Sequence, residues 1–308
     1  MPGLPVVAVV GATAAGKSEL ALDLADHLGG EVVNTDSMQL YRGMDIGTAK
    51  LPVSERRGIR HHLVDVLDVR EEASVAEFQA QARAVVEDCR ARGVVPVLVG
   101  GSALYTRAVL DRLDFPGTDP VLRRRLEDDL AELGPAALHD RLRGLDAEAA
   151  AHIEQANGRR IVRALEVVEL TGGPFAARMP PPSYVYPEAV QLGVDIDRTV
   201  LDERITRRVD RMWADGLVEE VRRLETLGLR ESRTASRALG YQQVLAFLAG
   251  EIDEEEARRR TVVGTRRFAR RQDAWFRKDP RVRWVPTTVR RRDSSSSTSP
   301  ARNDSTCW

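Results

Sequence analysis

At 308 residues, 43% of them hydrophobic and 30% charged, the chain can bury one sizeable core plus a smaller lobe and has the make-up of a soluble globular protein. No apolar run approaches the roughly 20 residues of a membrane span, and residues 4–10 are too short and too uncharged at their start for a secretory leader. Cys89 and Cys307 are too few and too scattered for a disulfide framework or a metal site, which makes a cytoplasmic protein the expectation, and the net charge of −1 conceals a strongly basic stretch late in the chain.

The first predicted strand, near 4–10, runs into Gly11-Ala12-Thr13-Ala14-Ala15-Gly16-Lys17-Ser18, a full match to G-x-x-x-x-G-K-[ST], and a helix follows over 17–28. Strand, glycine-rich turn and helix together form a nest of backbone N–H groups that holds a di- or triphosphate. Lys17 would neutralise phosphate charge, and the Ser18 hydroxyl is placed to reach a phosphate-bound Mg²⁺. The only other lysines are Lys50 and Lys278, so a lysine at this position is no accident of composition.

A second strand is predicted near 31–35 and ends at Asp36, a third near 63–66, a helix over 74–92, a fourth strand near 94–99 and a helix over 102–111. This βα series predicts an α/β fold, a P-loop NTPase-like parallel sheet flanked by helices. Enzymes that cleave a γ-phosphoryl usually hold Mg²⁺ through an Asp at the end of a second apolar strand. The fourth strand here ends instead in Gly100-Gly101-Ser102, and the carboxylate is Asp36, at the carboxyl edge of the sheet where open α/β sheets bind ligands. Asp36 is thus a candidate general base or metal ligand. Ser102 reads either as a site hydroxyl or as a helix N-cap. His61 and His62, adjacent on a strand, point to opposite faces and are read as packing or hydrogen-bonding residues rather than a metal pair.

From Asp114 to Tyr186 the pattern changes to helices only. Asp119-Pro120 opens one, Gly134-Pro135 starts another, and Arg159 to Leu170 forms a third that stops at Gly172-Gly173-Pro174. A strand follows at 190–196 and long helices run to about 278. The expected organisation is a core of residues 1–113 plus 187–286, an all-helical insertion domain over 114–186, and a Ser-rich disordered tail over 287–308. Arg159, Arg160 and Arg163 share one helix, suited either to backbone phosphates or to solvent. Between Arg258 and Arg292 thirteen arginines and one lysine stand against Asp273 and Asp279, interleaved with Phe268, Trp275, Phe276 and Trp284. Like charges so close repel unless a polyanion neutralises them, and guanidinium groups alternating with aromatics can clamp phosphates and stack bases.

Several of these segments, taken together, resemble the tRNA dimethylallyltransferase family. They are the phosphate loop, Asp36-Ser37-Met38-Gln39 with Tyr41-Arg42-Gly43-Met44-Asp45-Ile46-Gly47-Thr48-Ala49-Lys50, the Gly100-Gly101-Ser102 turn, Arg159-Arg160-Ile161-Val162-Arg163-Ala164-Leu165-Glu166, Gly240-Tyr241, and Thr265 to Gln272 with Trp275-Phe276. The match runs in order from about residue 4 to 285. Two departures, Ser102 where the family usually has Thr and Arg270 where it usually has Lys, preserve hydroxyl and charge.

The resemblance implies transfer of a dimethylallyl group from dimethylallyl diphosphate to N6 of adenosine 37 beside the tRNA anticodon, with Mg²⁺ as cofactor and a monomer as the working form. It implies that Gly11, Ala12, Thr13, Ala14, Ala15, Gly16, Lys17, Ser18 and Arg208 hold the diphosphate, with Ser18 toward the metal. It implies catalytic roles for Asp36, Ser102 and Lys17, and an adenosine side built from Asp36, Ser37, Met38, Gln39 and Ser102. Arg123, Arg159, Arg160, Arg163, Arg266, Arg267 and Arg270 would grip the stem and loop. Two other functions use parts of the same sequence. A small-molecule phosphotransferase of nucleoside-kinase type needs only the loop, and a nucleic-acid-binding module with a vestigial loop needs neither Asp36 nor Lys17.

Overall fold

The computed structural model describes residues 3–175 and 179–287, so that of the expected tail only Thr287 is described, its N–H donating to Asp195 O at 2.8 Å. The first half alternates β1 (Val7–Val10), α1 (Lys17–Leu28), β2 (Gly30–Asn34), β3 (His61–His62), α2 (Val75–Ala91), β4 (Val95–Val99) and α3 (Ala103–Leu110). Three helices follow, α4 (Pro120–Leu145), α5 (Ala147–His152) and α6 (Gly158–Thr171). The chain then returns through β5 (Val190–Asp195), α7 (Arg198–Ala214), α8 (Leu217–Glu225), α9 (Tyr241–Leu248), α10 (Glu254–Phe276) and β6 (Val282–Pro286). All strand pairings are parallel and the order across the sheet is β3-β2-β4-β1-β5-β6. This is the P-loop NTPase-like sheet flanked by helices that the strand–helix alternation predicts.

Period-two alternation divides the strand residues between two cores. Ala8, Val10, Val33 and Leu98 pack with Phe78, Val109 and Phe276 on one face, whereas Val7, Val9, Val32 and Val97 pack with Ala21, Ala25, Leu201 and Ile205 on the other. A third core joins Tyr41 and Met44 to α8 and α9. Helices α4 to α6 have one of their own, built on Leu126, Leu138, Leu142, Ile161 and Leu165. Within α4 the helix breaks at Gly134, φ 79°, immediately before Pro135, where a separate helix start was expected.

Two strands differ from expectation. The third is His61–His62 rather than 63–66, because Leu63 and Asp65 take left-handed φ values of 58° and 60°, which end extended pairing. The sixth, β6, was not expected at all. It lies at the sheet edge against β5, with the Arg277 guanidinium 4.2 Å from the Trp284 ring centroid. Gly193 of β5 makes room for that indole, since a Cβ there would come within 2.7 Å of it. Among the described residues no helix is long and apolar enough to cross a membrane.

Candidate active site

The functional segments all leave the sheet at the carboxyl ends of neighbouring strands: the phosphate loop from β1, Asp36 from β2 and Ser102 from β4. The loop's backbone requires positive φ at Gly11 (131°) and Gly16 (108°), where glycine is unstrained. Arg204 Nη1 donates to Ala15 O at 3.2 Å and Arg208 Nη1 to Thr13 Oγ1 at 3.3 Å, so α7 grips the loop from outside. The Lys17 ammonium donates to Ala12 O at 2.8 Å. Burial pushes the Lys17 pKa from an ordinary 10.5 down to about 8; Asp36 pulls it up and Arg208 pushes it down further. Lys17 and Arg208 thus both bond to the loop, at Ala12 and Thr13.

Asp36 sits in a turn stiffened by its own side chain. Its N–H donates to Asn34 Oδ1 at 2.9 Å, and its Oδ1 accepts the Met38 N–H at 3.0 Å. Asn34 is in turn anchored by donating to Leu63 O at 2.8 Å. Ser102 begins α3 without a side-chain cap bond. Its hydroxyl instead accepts the Ser37 N–H at 3.3 Å and lies 3.3 Å from Ser37 Oγ. The serine hydroxyl thus bonds to Ser37 rather than to the helix end or to the Asp36 carboxylate. Gln39 Nε2 donates to Thr48 O at 3.1 Å. The segment that follows is held by Glu220, buried in the third core, which accepts from Asp45 N at 3.1 Å, Ile46 N at 2.9 Å and Tyr241 Oη at 2.5 Å. Lys50 ties the same segment to Asp65 at 2.5 Å and to Tyr41 O at 2.6 Å.

Part of this set opens into a cleft of about 510 Å³, which Lys17, Ser18 and Gln39 do not line. Thr13, Asp36, Ser37, Met38 and Ser102 line it from the sheet edge, Arg208 from α7, and Arg159 of α6 from the helical lobe. Val209, Met212, Leu239 and Phe268 supply an apolar wall. Arg233, Arg237 and Arg271 line it too, Arg233 with its charge paired to Glu127 at 2.8 Å. The first two lie between α8 and α9, outside the basic run that the sequence made conspicuous. Their signal was local, three arginines among the small polar residues of 230–237, and too short to stand out.

The remaining arginines singled out from the sequence lie elsewhere. Arg123 and Arg163 both pair with Glu166, whose side chain is fully buried, the Arg163 bond measuring 2.6 Å. Arg163 also donates to Pro116 O at 2.6 Å and Gly117 O at 3.1 Å. Burial alone would raise the Glu166 pKa, but the hydrogen bonds from the two guanidinium groups outweigh it and hold the carboxyl below its usual range. This triad fixes the segment entering the helical lobe. Arg160 does not line the cleft. Arg266 donates to Thr206 Oγ1 at 2.9 Å, while Arg267 and Arg270 are exposed on α10. Much of the basic run is neutralised internally: Arg259 and Arg260 pair with Glu256, Arg277 with Asp273 and Asp195, and Arg281 with Asp111 and Asp279.

Away from the cleft, Glu31, His62 and Cys89 converge, and the Arg92 guanidinium meets Glu31 through both oxygens and lies 3.5 Å from Cys89 Sγ. His61 turns the other way and bonds to Ile59 O at 2.9 Å.

A family model described as IPP transferase matches residues 39–279. The chain is 66% identical to a tRNA dimethylallyltransferase of a Nocardioides species over 281 residues, 91% of each chain. It is 67% identical to the Salinispora tropica protein of the same description, over 91% of this chain and 88% of that one. Among solved structures it resembles the full-length tRNA isopentenylpyrophosphate transferase of Bacillus halodurans, with a TM-score of 0.67 and 41% identity over 92% of this chain and 89% of that one. A eukaryotic dimethylallyltransferase captured acting on tRNA superposes with a TM-score of 0.82 at 26% identity, over 96% of this chain and 77% of that one. By sequence along nine tenths of its length, and by fold, the chain belongs to the IPP transferase family.

Proposed function

We propose that this chain transfers the dimethylallyl group of dimethylallyl diphosphate to N6 of the adenosine at position 37 of tRNA, giving N6-dimethylallyladenosine and diphosphate. One observation carries the reading: Thr13 of the phosphate loop, the carboxylate of Asp36 and Arg159 of the helical lobe all open into a single cleft. A loop that holds a leaving diphosphate needs no acid at the end of β4, which accounts for Gly100-Gly101-Ser102 at that position. The nucleoside-kinase alternative leaves Arg159 and the apolar wall of the cleft without a role and is not favoured.

The allylic carbon gains positive charge as its C–O bond breaks, and the bonding electrons leave with the diphosphate. Lys17, the loop amides and Arg208 stabilise that charge where it develops. Adenine N6 is a weak nucleophile because its lone pair is delocalised into the ring, so bond formation to the allylic carbon requires that its proton be taken. The Asp36 carboxylate is the acceptor, held in place by the Met38 N–H. N6 reaches the sheet edge only if the base leaves its stack in the anticodon loop and enters the cleft.

The donor set suits a Mg²⁺ ion, since Ser18 is exposed on the first turn of α1 and a hydroxyl with diphosphate oxygens and water is the hard-oxygen environment this ion takes. Such an ion would neutralise diphosphate charge. The segment 114–186 serves as the tRNA-binding insertion, with Arg159 as its contact to the cleft, and the working form is a cytoplasmic monomer. The test is mass spectrometry of nucleosides from unmodified tRNA incubated with the protein, dimethylallyl diphosphate and Mg²⁺. Adenosine carrying one dimethylallyl group is the expected product. Its absence, with stabilisation of the protein by ATP alone, would favour the kinase.

A further inference from the structure

Gln272, buried on α10, joins two of the segments that build the cleft. Its Oε1 accepts the Thr13 backbone N–H at 2.8 Å, and its Nε2 donates to the Gly101 carbonyl at 2.8 Å. Only this orientation of the amide matches donor to acceptor at both ends. Thr13 belongs to the loop after β1 and Gly101 to the turn after β4, and these strands are hydrogen-bonded neighbours. One side chain from a third element therefore spans the gap between the phosphate loop and the turn that carries Ser102. The fit leaves no slack, because a Cβ at Gly101 would collide with Gln272 Nε2 and one at Gly100 with Thr35. Those two glycines let the turn lie this close.

We propose that Gln272 is a positioning residue that sets the diphosphate loop against the Gly100-Gly101-Ser102 turn, and so fixes the leaving group relative to the groups on the adenine side; this rests on the prenyl-transfer reading of the cleft. Thr13 is held at both its N–H, by Gln272, and its hydroxyl, by Arg208, so the loop is pinned at two points beside the cleft. The helix that supplies Gln272 also carries Arg271, which lines the cleft, and the exposed Arg267 and Arg270. A tRNA lying on α10 is thereby registered to the loop through one amide. Truncating that amide removes the partners of the Thr13 N–H and the Gly101 carbonyl and frees the loop to drift; misplacement on the order of 1 Å lowers a rate about 100-fold.

The test compares full-length wild type with Gln272→Ala and Gln272→Glu in inorganic diphosphate binding by calorimetry, tRNA affinity and single-turnover transfer. Gln272→Ala is expected to lower the rate and weaken diphosphate binding, each by about 10- to 100-fold, with tRNA affinity within about 2-fold. Gln272→Glu keeps an acceptor for Thr13 but, ionised, has no donor for Gly101. Its rate relative to wild type should recover as the pH is lowered and the introduced carboxyl gains a proton to donate. Loss of packing alone would give no such recovery. A Gln272→Ala rate and diphosphate affinity both within about 2-fold of wild type would overturn the inference, as would a Gln272→Glu deficit that does not respond to pH. A wild type that transfers nothing refutes the prenyl reading instead, and the diphosphate affinities then still decide whether Gln272 positions the loop.

Discussion

The lowered Lys17 pKa makes diphosphate binding sensitive to pH in a calculable way. In the free protein the amine titrates at about 8. Once a diphosphate lies against it, several negative charges stabilise the ammonium and its pKa rises well above that value. Below pH 8 the amine is charged with or without ligand, so affinity does not change. Above pH 8 the free protein loses the proton that the complex retains, and binding must take it up again. With a free pKa of about 8, one molecule in about eleven carries the charge at pH 9, so the affinity there is about elevenfold weaker than on the acidic plateau, falling about tenfold for each further pH unit. The last ionisation of the ligand, near pH 6 for phosphate esters, is complete over this range and adds no slope. Calorimetry with dimethylallyl diphosphate in the absence of tRNA, an ester whose last ionisation lies near pH 6, between pH 7 and 9.5 and in buffers of different ionisation enthalpy, measures both the affinity and the proton taken up. Lys17→Arg, charged throughout, should give a flat profile whatever its absolute affinity. An affinity for the wild type that stays level to pH 9.5, with no proton uptake, would refute the buried-amine account. For folding the shift has the opposite sign. The unfolded chain holds the Lys17 proton up to its ordinary 10.5, so the penalty of burying the charge applies below about pH 8 and is relieved as pH rises from there to 10.5.

Asp36→Asn retains shape but removes the basic electron pair, and should lower single-turnover transfer about 10²- to 10⁴-fold while tRNA and diphosphate affinities stay within a few-fold; rescue by high Mg²⁺ would reassign Asp36 as a metal ligand. Arg159→Ala should weaken tRNA binding and reduce its salt dependence without changing the melting temperature, as measured by filter binding across a salt series. Glu166→Gln should do the reverse, destabilising the protein by about 2–3 kcal/mol in denaturant titration, below the usual range for a broken buried pair because both arginines still reach water. A Glu166→Gln variant as stable as wild type would remove the triad from the account of the helical lobe.

What the sequence disclosed depended on how local the cause was. The phosphate loop was legible because glycines and a lysine at fixed spacing are themselves the mechanism, and Asp36 because it closes a strand beside that loop. The edge strand β6 was hidden since Arg281-Val282-Arg283-Trp284 alternates inside a basic run, and its apolar residues were counted as part of that run. The third strand was misplaced because Leu63 and Asp65 adopt left-handed backbone angles that neither residue type announces. In sequence Arg163 reads with Arg159 and Arg160 as a stripe suited to phosphates or to solvent, and Arg123, apart from them, as a grip on tRNA. Glu166 stood in view three residues beyond Arg163, but its burial, which draws both guanidinium groups onto one carboxylate, is a tertiary fact. Gln272 lay within a segment recognised for its arginines, and nothing in its neighbours could say that its two partners come from other parts of the sheet.

The interposed β4 acts as a ruler. Hydrogen-bonded strands stand about 4.8 Å apart irrespective of their side chains, so the chain leaves β1 and β2 with one strand between them, about 10 Å apart. A base and a leaving group must flank the carbon that changes partners. This gap accommodates that carbon, with the reach of a carboxylate from one side and an ammonium from the other. Because the interval is written in backbone, a side-chain change can loosen the loop or the turn but cannot alter the spacing of the strands from which they leave. The coarse span of the cleft is thus inherited with the topology, and side chains such as Gln272 trim it.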